Sequence, residues 1–200
     1  SSDVCSSDLG KTRYNFNTQV SSAQVGKYVD VLTGDQIRSI VNADAAASGN
    51  DTYKNLLGTS NTDWQKQIYQ MALGNNNNLS VSGNWDLGEG VYLPYRFSIG
   101  NTYQEGVLKT DKFNRISTSL NLSPKFFNDN LSVNYNLKYS NIHKRFPDEG
   151  AIGAAVSFDP TQSIYSNSTK YGGYWEWLQT DGKPIDLATR NPLGLLELRR

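Results

Sequence analysis

Between Leu131 and Tyr139 the chain alternates strictly. Leu131, Val133, Tyr135, Leu137 and Tyr139 are apolar or aromatic, and Ser132, Asn134, Asn136 and Lys138 separate them. Successive side chains of a strand project to opposite faces, so this spacing predicts a strand with one apolar and one wet face. The same pattern recurs over residues 79–87, in Val91, Leu93, Tyr95, Phe97 and Ile99, and in Ile116, Thr118, Leu120 and Leu122. Together these stretches predict an all-β antiparallel meander. Its polar positions are mostly Asn and Ser with an occasional Lys or Arg, as in a wall lining a hydrated lumen. Two architectures present such strands: a transmembrane β-barrel, whose apolar face meets lipid, and a soluble β-sandwich, whose apolar faces pack together. Trp85, Tyr95, Tyr103, Tyr135 and Tyr139 would sit near aromatic girdles in the first and form cross-strand packing in the second.

The remaining elements are set by local signals. Residues 11–20, with Tyr14 and Phe16 between polar neighbours, predict another strand. Beyond Thr33, the spacing of Ile37, Ile40 and Val41 predicts a short amphipathic helix. Trp64, Ile68, Met71 and Ala72 predict a second one, with Thr62 or Asp63 as its cap. The run Asn75 to Asn78 reads as a loop. Gly88-Glu89-Gly90 is a tight hairpin signal, and the connections 104–111 and 123–130 are longer. Pro94 argues against an undisturbed central strand, because proline cannot donate to the ladder. After about Arg145 the alternation stops, so in a barrel residues 145–200 would be mostly extracellular loop, opposite the short periplasmic turns.

Composition narrows the classes. The 200 residues contain no run of about 18 to 20 apolar residues of the kind a transmembrane helix needs. A β-barrel is untouched by that, since only alternate residues need be apolar. Lys plus Arg and Asp plus Glu both total 19, which gives no global case for nucleic-acid binding. Residues 1–9 repeat Ser-Ser-Asp, bear no relation to the rest of the chain and resemble a translated sequencing adapter, so they stand apart as non-native. Cys5, the single cysteine, lies among them, leaving no thiol for a disulfide in residues 10–200. Residues 193–200 stop at what reads as the start of a new element, and the chain reads as an internal fragment.

No constellation predicts an enzyme, a metal or a cofactor. His143 is a lone histidine at a strand end, where a metal site needs several convergent ligands. Asp148 and Glu149 are adjacent, poor geometry for paired-carboxylate glycoside hydrolysis. Gly172-Gly173 lacks the strand and helix context of a phosphate loop. The cluster Tyr171, Tyr174, Trp175 and Trp177 is the candidate binding surface. Flat aromatic faces suit sugar rings or a partner protein, with Glu176 or Asp181 as hydrogen-bond acceptors, although a folded loop also needs aromatic packing.

Six segments, in order, resemble landmarks of the SusC/RagA family of TonB-dependent outer-membrane transporters. They are Thr62-Asp63-Trp64-Gln65, Asn78-Leu79-Ser80-Val81-Ser82-Gly83, Leu93-Pro94-Tyr95-Arg96, Gln104-Glu105-Gly106-Val107-Leu108-Lys109, Phe158-Asp159-Pro160-Thr161-Gln162 and Asn191-Pro192-Leu193. The resemblance implies a large barrel closed by an N-terminal plug, with residues 10–200 forming its first strands after the plug. It implies import of oligosaccharides or peptides, a SusD-like surface lipoprotein as partner, and a TonB complex acting through the plug, which this chain does not include. Leu131, Val133, Tyr135, Leu137 and Tyr139 would then face outer-membrane lipid. The alternative is a soluble secreted β-sandwich that binds glycans through the aromatic cluster.

Overall fold

Residues 13–23, 72–88, 91–105, 112–122 and 135–145 form long strands in the computed structural model, which describes residues 11–127 and 130–198. The expectation for residues 1–9, and the part of the predicted 123–130 turn at residues 128–129, lie outside the described residues. The strands are β1 (Arg13–Ala23), β2 (Ala72–Gly88), β3 (Val91–Glu105) and β4 (Lys112–Leu122), then the two-residue β5 (Lys125–Phe126) and β6 (Leu131–Ser132), then β7 (Tyr135–Arg145). The sheet order is β1-β2-β3-β4-β7, and the β2/β3, β3/β4 and β4/β7 pairs are antiparallel. The helices are α1 (Gly34–Ser48), α2 (Trp64–Ile68), α3 (Gly150–Ser157) and α4 (Pro192–Leu198).

The chain divides into two units. One is the strand unit, residues 73–105 and 112–145 with β1. The other gathers residues 23–72, 106–111 and 146–198, which are the connections β1 to β2 and β3 to β4 and the stretch after β7. The apolar core belongs to this second unit: Trp64, Ile68, Leu108, Ala151, Ala155, Phe158 and Leu196 are buried together. In the strand unit every residue of β1 and β7 is exposed, whereas β3 and β4 are mostly half-buried between their neighbours.

The β2/β3 turn shows why Gly88-Glu89-Gly90 is a hairpin signal. Glu89 and Gly90 have φ of 53° and 74°, the pair of left-handed residues that a type I′ turn requires and that matches the twist of its strands. Pro94 sits inside β3, opposite Asn84. Its carbonyl accepts from the Ser123 N–H at 2.9 Å, and the β3/β4 ladder begins only at Tyr95 opposite Leu122. The missing proline N–H therefore faces the point where that ladder has ended, and the strand survives.

Several expectations need correcting. The run Asn75 to Asn78 is strand: Asn75, Asn76, Asn77 and Asn78 pair with Tyr103, Thr102, Asn101 and Gly100. Their amides join the sheet, with Asn77 Oδ1 accepting from Thr18 Oγ1 at 2.7 Å and Asn76 Oδ1 from Thr102 Oγ1 at 3.2 Å. Ladder pairing overrides the poor strand propensity of asparagine. Residues 131–139 are not one strand, because the Val133 N–H turns away to the Pro124 carbonyl at 3.0 Å and β7 starts at Tyr135. The second helix stops at Ile68, short of Met71 and Ala72. There the backbone crosses to the 106–111 loop through Gln70 N–H to Val107 O and Lys109 N–H to Ile68 O, both 2.9 Å. Ile40 is exposed, since α1 packs through Gly34, Ile37, Val41 and Ala45.

Candidate functional site

Pairing register brings the alternation of separate strands into phase. Residues directly opposite in an antiparallel pair share a face. Val81 faces Phe97, Phe97 faces Leu120, and Leu120 faces Leu137, a continuous apolar row across β2, β3, β4 and β7. The next row on that face is Leu79, Ile99, Thr118 and Tyr139, and on the other side lie Gly83, Tyr95, Leu122 and Tyr135. The opposite face carries Ser80, Ser98, Ser119 and Lys138, then Ser82, Arg96, Asn121 and Asn136. Ser98 and Ser119 hydroxyls meet at 2.7 Å across two strands. Of the predicted lipid-facing residues, Tyr135, Leu137 and Tyr139 stand on β7 on the apolar face. Leu131 is on β6, and Val133 lies between the two strands; all five are exposed.

Gly83 shows why the second and third landmark segments go together. The Tyr95 ring crosses over it, placing its hydroxyl 3.0 Å from Thr12 Oγ1 and its centroid 4.5 Å from the Trp85 ring. A β-carbon on Gly83 would lie 2.6 Å from the Tyr95 hydroxyl. Gly83→Ala is therefore expected to push the ring aside and cost about 0.2 to 1 kcal/mol, the range of a cross-strand side-chain pair. The urea midpoint of unfolding reads this. An unchanged midpoint would mean that the ring contact contributes nothing.

In the second unit the remaining landmarks meet around Trp64. Asp63 caps α2, accepting from Lys66 N–H at 3.2 Å, and its carboxylate holds the Lys66 ammonium at 3.0 Å and keeps it protonated to higher pH than usual. Thr62 is not the cap, because its hydroxyl donates to the Gln162 carbonyl at 2.6 Å. Trp64 is 2% exposed, donates from Nε1 to the Asp159 carbonyl at 3.0 Å, and meets the Phe158 ring edge-on at 4.8 Å. Gln65 pairs with Val29 as a strand neighbour would, accepting from its N–H at 2.9 Å and donating to its carbonyl at 2.7 Å. Asn191, fully buried, donates to the Ile164 and Trp175 carbonyls and accepts from the Leu193 and Gly194 N–H groups that open α4. Gly58 lies so close to the Thr161 carbonyl that a β-carbon there would collide with backbone. These polar residues satisfy buried backbone groups that no regular element pairs, a requirement of any buried loop.

The aromatic cluster packs largely inward. Tyr174 is 6% exposed and donates to Glu197 Oε2 at 2.6 Å; burial, and then that carboxylate, push its phenol well above the usual tyrosine range. Trp175 meets Phe158 and Trp177 edge-on at 6.0 and 4.7 Å. Tyr171, at φ 52°, donates to the Gly182 carbonyl at 2.9 Å. The two acceptors expected beside the cluster are engaged within the chain. Glu176, its side chain 5% exposed, binds Arg190 Nε and the Asn191 N–H at 3.3 Å, while Asp181 takes the Lys183 N–H at 2.9 Å. Trp177 differs from the others in lining a cavity of about 1040 Å³ with Tyr28, Val31, Lys66, Val156 and Thr189. Sequence reasoning singled out Ile37, Thr62, Asp63, Trp64 and Phe158 of that wall but passed over Tyr28, Val31 and Val156, which lie in segments with no periodic signal.

Neither His143 nor the Asp148/Glu149 pair joins a site. His143 stands on β7 opposite Asn114, and Asp148 accepts from the Gly150 N–H at 3.0 Å at the start of α3. Among the described residues no three His, Cys, Asp or Glu side chains are grouped to hold a metal ion, and no helix is long and apolar enough to cross a membrane.

No family model matches the chain. It is similar to the TonB-dependent receptor SusC of Bacteroides thetaiotaomicron, at 37% identity over 201 aligned residues, covering 92% of this chain. The chain spans 19% of that receptor's length.

Proposed function

Because this chain belongs to the SusC family of TonB-dependent receptors, we propose that it forms part of an outer-membrane importer for large nutrients such as oligosaccharides or peptides. The observation that carries the reading is the in-phase apolar face of the sheet, on which Leu79, Phe97, Ile99, Leu137 and Tyr139 are exposed. Lipid is the solvent that such a face fits, and the Ser/Asn face behind it lines a hydrated lumen. Aromatic residues bracket the apolar band. Trp85 and Tyr95 stand toward the hairpin, and Tyr103 stands opposite Asn75. The mostly apolar rows run from Leu79 to Trp85, about 20 Å along a strand, and the row beyond them on that face is Asn77, Asn101, Ile116 and Asn141.

On this reading the strand unit is barrel wall, the Glu89–Gly90 turn is periplasmic, and the unit containing residues 146–198 is extracellular. Tyr171, Tyr174, Trp175 and Trp177 belong to that outer region, where Trp177 is the member placed for contact with substrate or with a SusD-like lipoprotein and the other three hold the loop in shape. Energy from a TonB complex enters through the plug of the complete receptor. Transport, not catalysis, is the activity. Epitope tags placed in the full-length receptor after Asp181 and after Glu89 test the topology. Antibody is expected to bind intact cells at the first position only. Binding at both, at neither, or recovery of the protein in the medium would overturn it.

A further inference from the structure

We infer that the polar face of the sheet is an electropositive surface that selects acidic oligosaccharides, an inference that rests on the reading of that face as lumen. The chain carries equal numbers of cationic and anionic residues, so any bias of one face comes from placement. Register places Arg96, Arg115, Lys138 and Lys144 on the polar face of β2, β3, β4 and β7, where the single carboxylate among the described residues is Asp86 beside the hairpin. The charges of the apolar face are confined to one row at the strand ends, Glu105, Lys112 and Arg145, where opposite signs sit together. The larger excess of positive charge, three against one, is thus on the polar side of the sheet.

The surface between these cations has a definite chemistry. Ser98, Ser117, Ser119 and Ser140 join Arg115 and Lys138 around a depression of about 380 Å³, and Arg115 Nη2 donates to Thr102 Oγ1 at 3.4 Å. Hydroxyls that both donate and accept match a ligand rich in hydroxyls, while the guanidinium and ammonium match its carboxylate or sulfate groups. A floor of serines between cations therefore fits an acidic sugar chain better than an acidic peptide, which offers few hydroxyls. In a water-filled channel with low-dielectric walls such a field is focused and raises the local concentration of anions.

The potential can be read without a ligand. In the full-length receptor, with other cysteines replaced, Ser140→Cys stands between Lys138 and Arg115. A sulfonate-bearing methanethiosulfonate is expected to label it about tenfold faster, relative to the ammonium-bearing reagent, than it labels a small thiol in solution. Adding Lys138→Gln and Arg115→Gln is expected to abolish that preference. A ratio near that of the small thiol, or one unmoved by neutralising both cations, overturns the electropositive assignment. Binding supplies the second arm, with sulfated and unsulfated oligosaccharides of one backbone and a polyglutamate peptide as probes. Tighter, salt-sensitive binding of the sulfated sugar that weakens in the double variant supports the inference, and equal binding of both sugars or preference for the peptide overturns the substrate class. Fractionation of the unmodified receptor tests the lumen reading separately, because a protein absent from the outer membrane defeats that reading whatever the reagent ratio.

Discussion

Replacing Trp64 by alanine in the full-length receptor is expected to destabilise the unit built from residues 23–72, 106–111 and 146–198 by about 3 to 5 kcal/mol, the usual range for removing a buried large aromatic. The indole is 2% exposed, so nearly all of its surface leaves water on folding. Its loss removes the edge-on contact with Phe158 and leaves the Asp159 carbonyl without the 3.0 Å bond from Nε1. Trp64→Phe keeps an aromatic ring and removes the hydrogen bond, and should fall well short of the alanine effect. Hydrogen exchange on the full-length protein is the measurement. Amides of α3 and α4 are expected to lose protection in Trp64→Ala while β2, β3 and β4 keep theirs. Undiminished protection in α3 and α4 would show that Trp64 does not hold this unit together.

Leu137→Arg is expected to cost about 2 to 4 kcal/mol in a bilayer if the site lies near the midplane, and Asn136→Arg close to nothing. The contrast between neighbours is the informative part. Leu137 continues the row of Val81, Phe97 and Leu120, whereas Asn136 continues that of Ser82, Arg96 and Asn121. Urea titration of the full-length protein in vesicles gives the free energies. A packed sandwich core would also reject arginine at 137, so a second readout separates the two cases. A fluorophore on Leu137→Cys should be quenched by spin labels on lipid acyl chains, and one on Asn136→Cys should not. No quenching at 137 would end the lipid-facing assignment.

Much of this fold was legible because alternation is a local property. Each long strand announces its two faces within ten residues, the Glu89–Gly90 turn is set by two left-handed residues, and the capping box at Thr33 and Gln36 starts α1. The errors have one origin. The asparagine run at 75–78, the break at Val133, the early end of α2 at Ile68 and the solvent position of Ile40 all depend on a distant partner or its absence. That partner is β3 for the asparagines, the Pro124 carbonyl for Val133, and the 106–111 loop for α2.

The candidate site divides the same way. Residue type and spacing are enough to establish two kinds of strand face and an aromatic cluster at 171–177. Packing in three dimensions is what brings the strands into phase, so that charges balanced along the chain become unbalanced across the sheet. It also makes Thr62, Trp64, Gln65, Gln162 and Asn191 act together, because each satisfies a backbone group or ring tens of residues away. Spacing encodes what a residue does to its own strand or turn; buried hydrogen bonds between loops are set by three-dimensional proximity, which spacing does not carry.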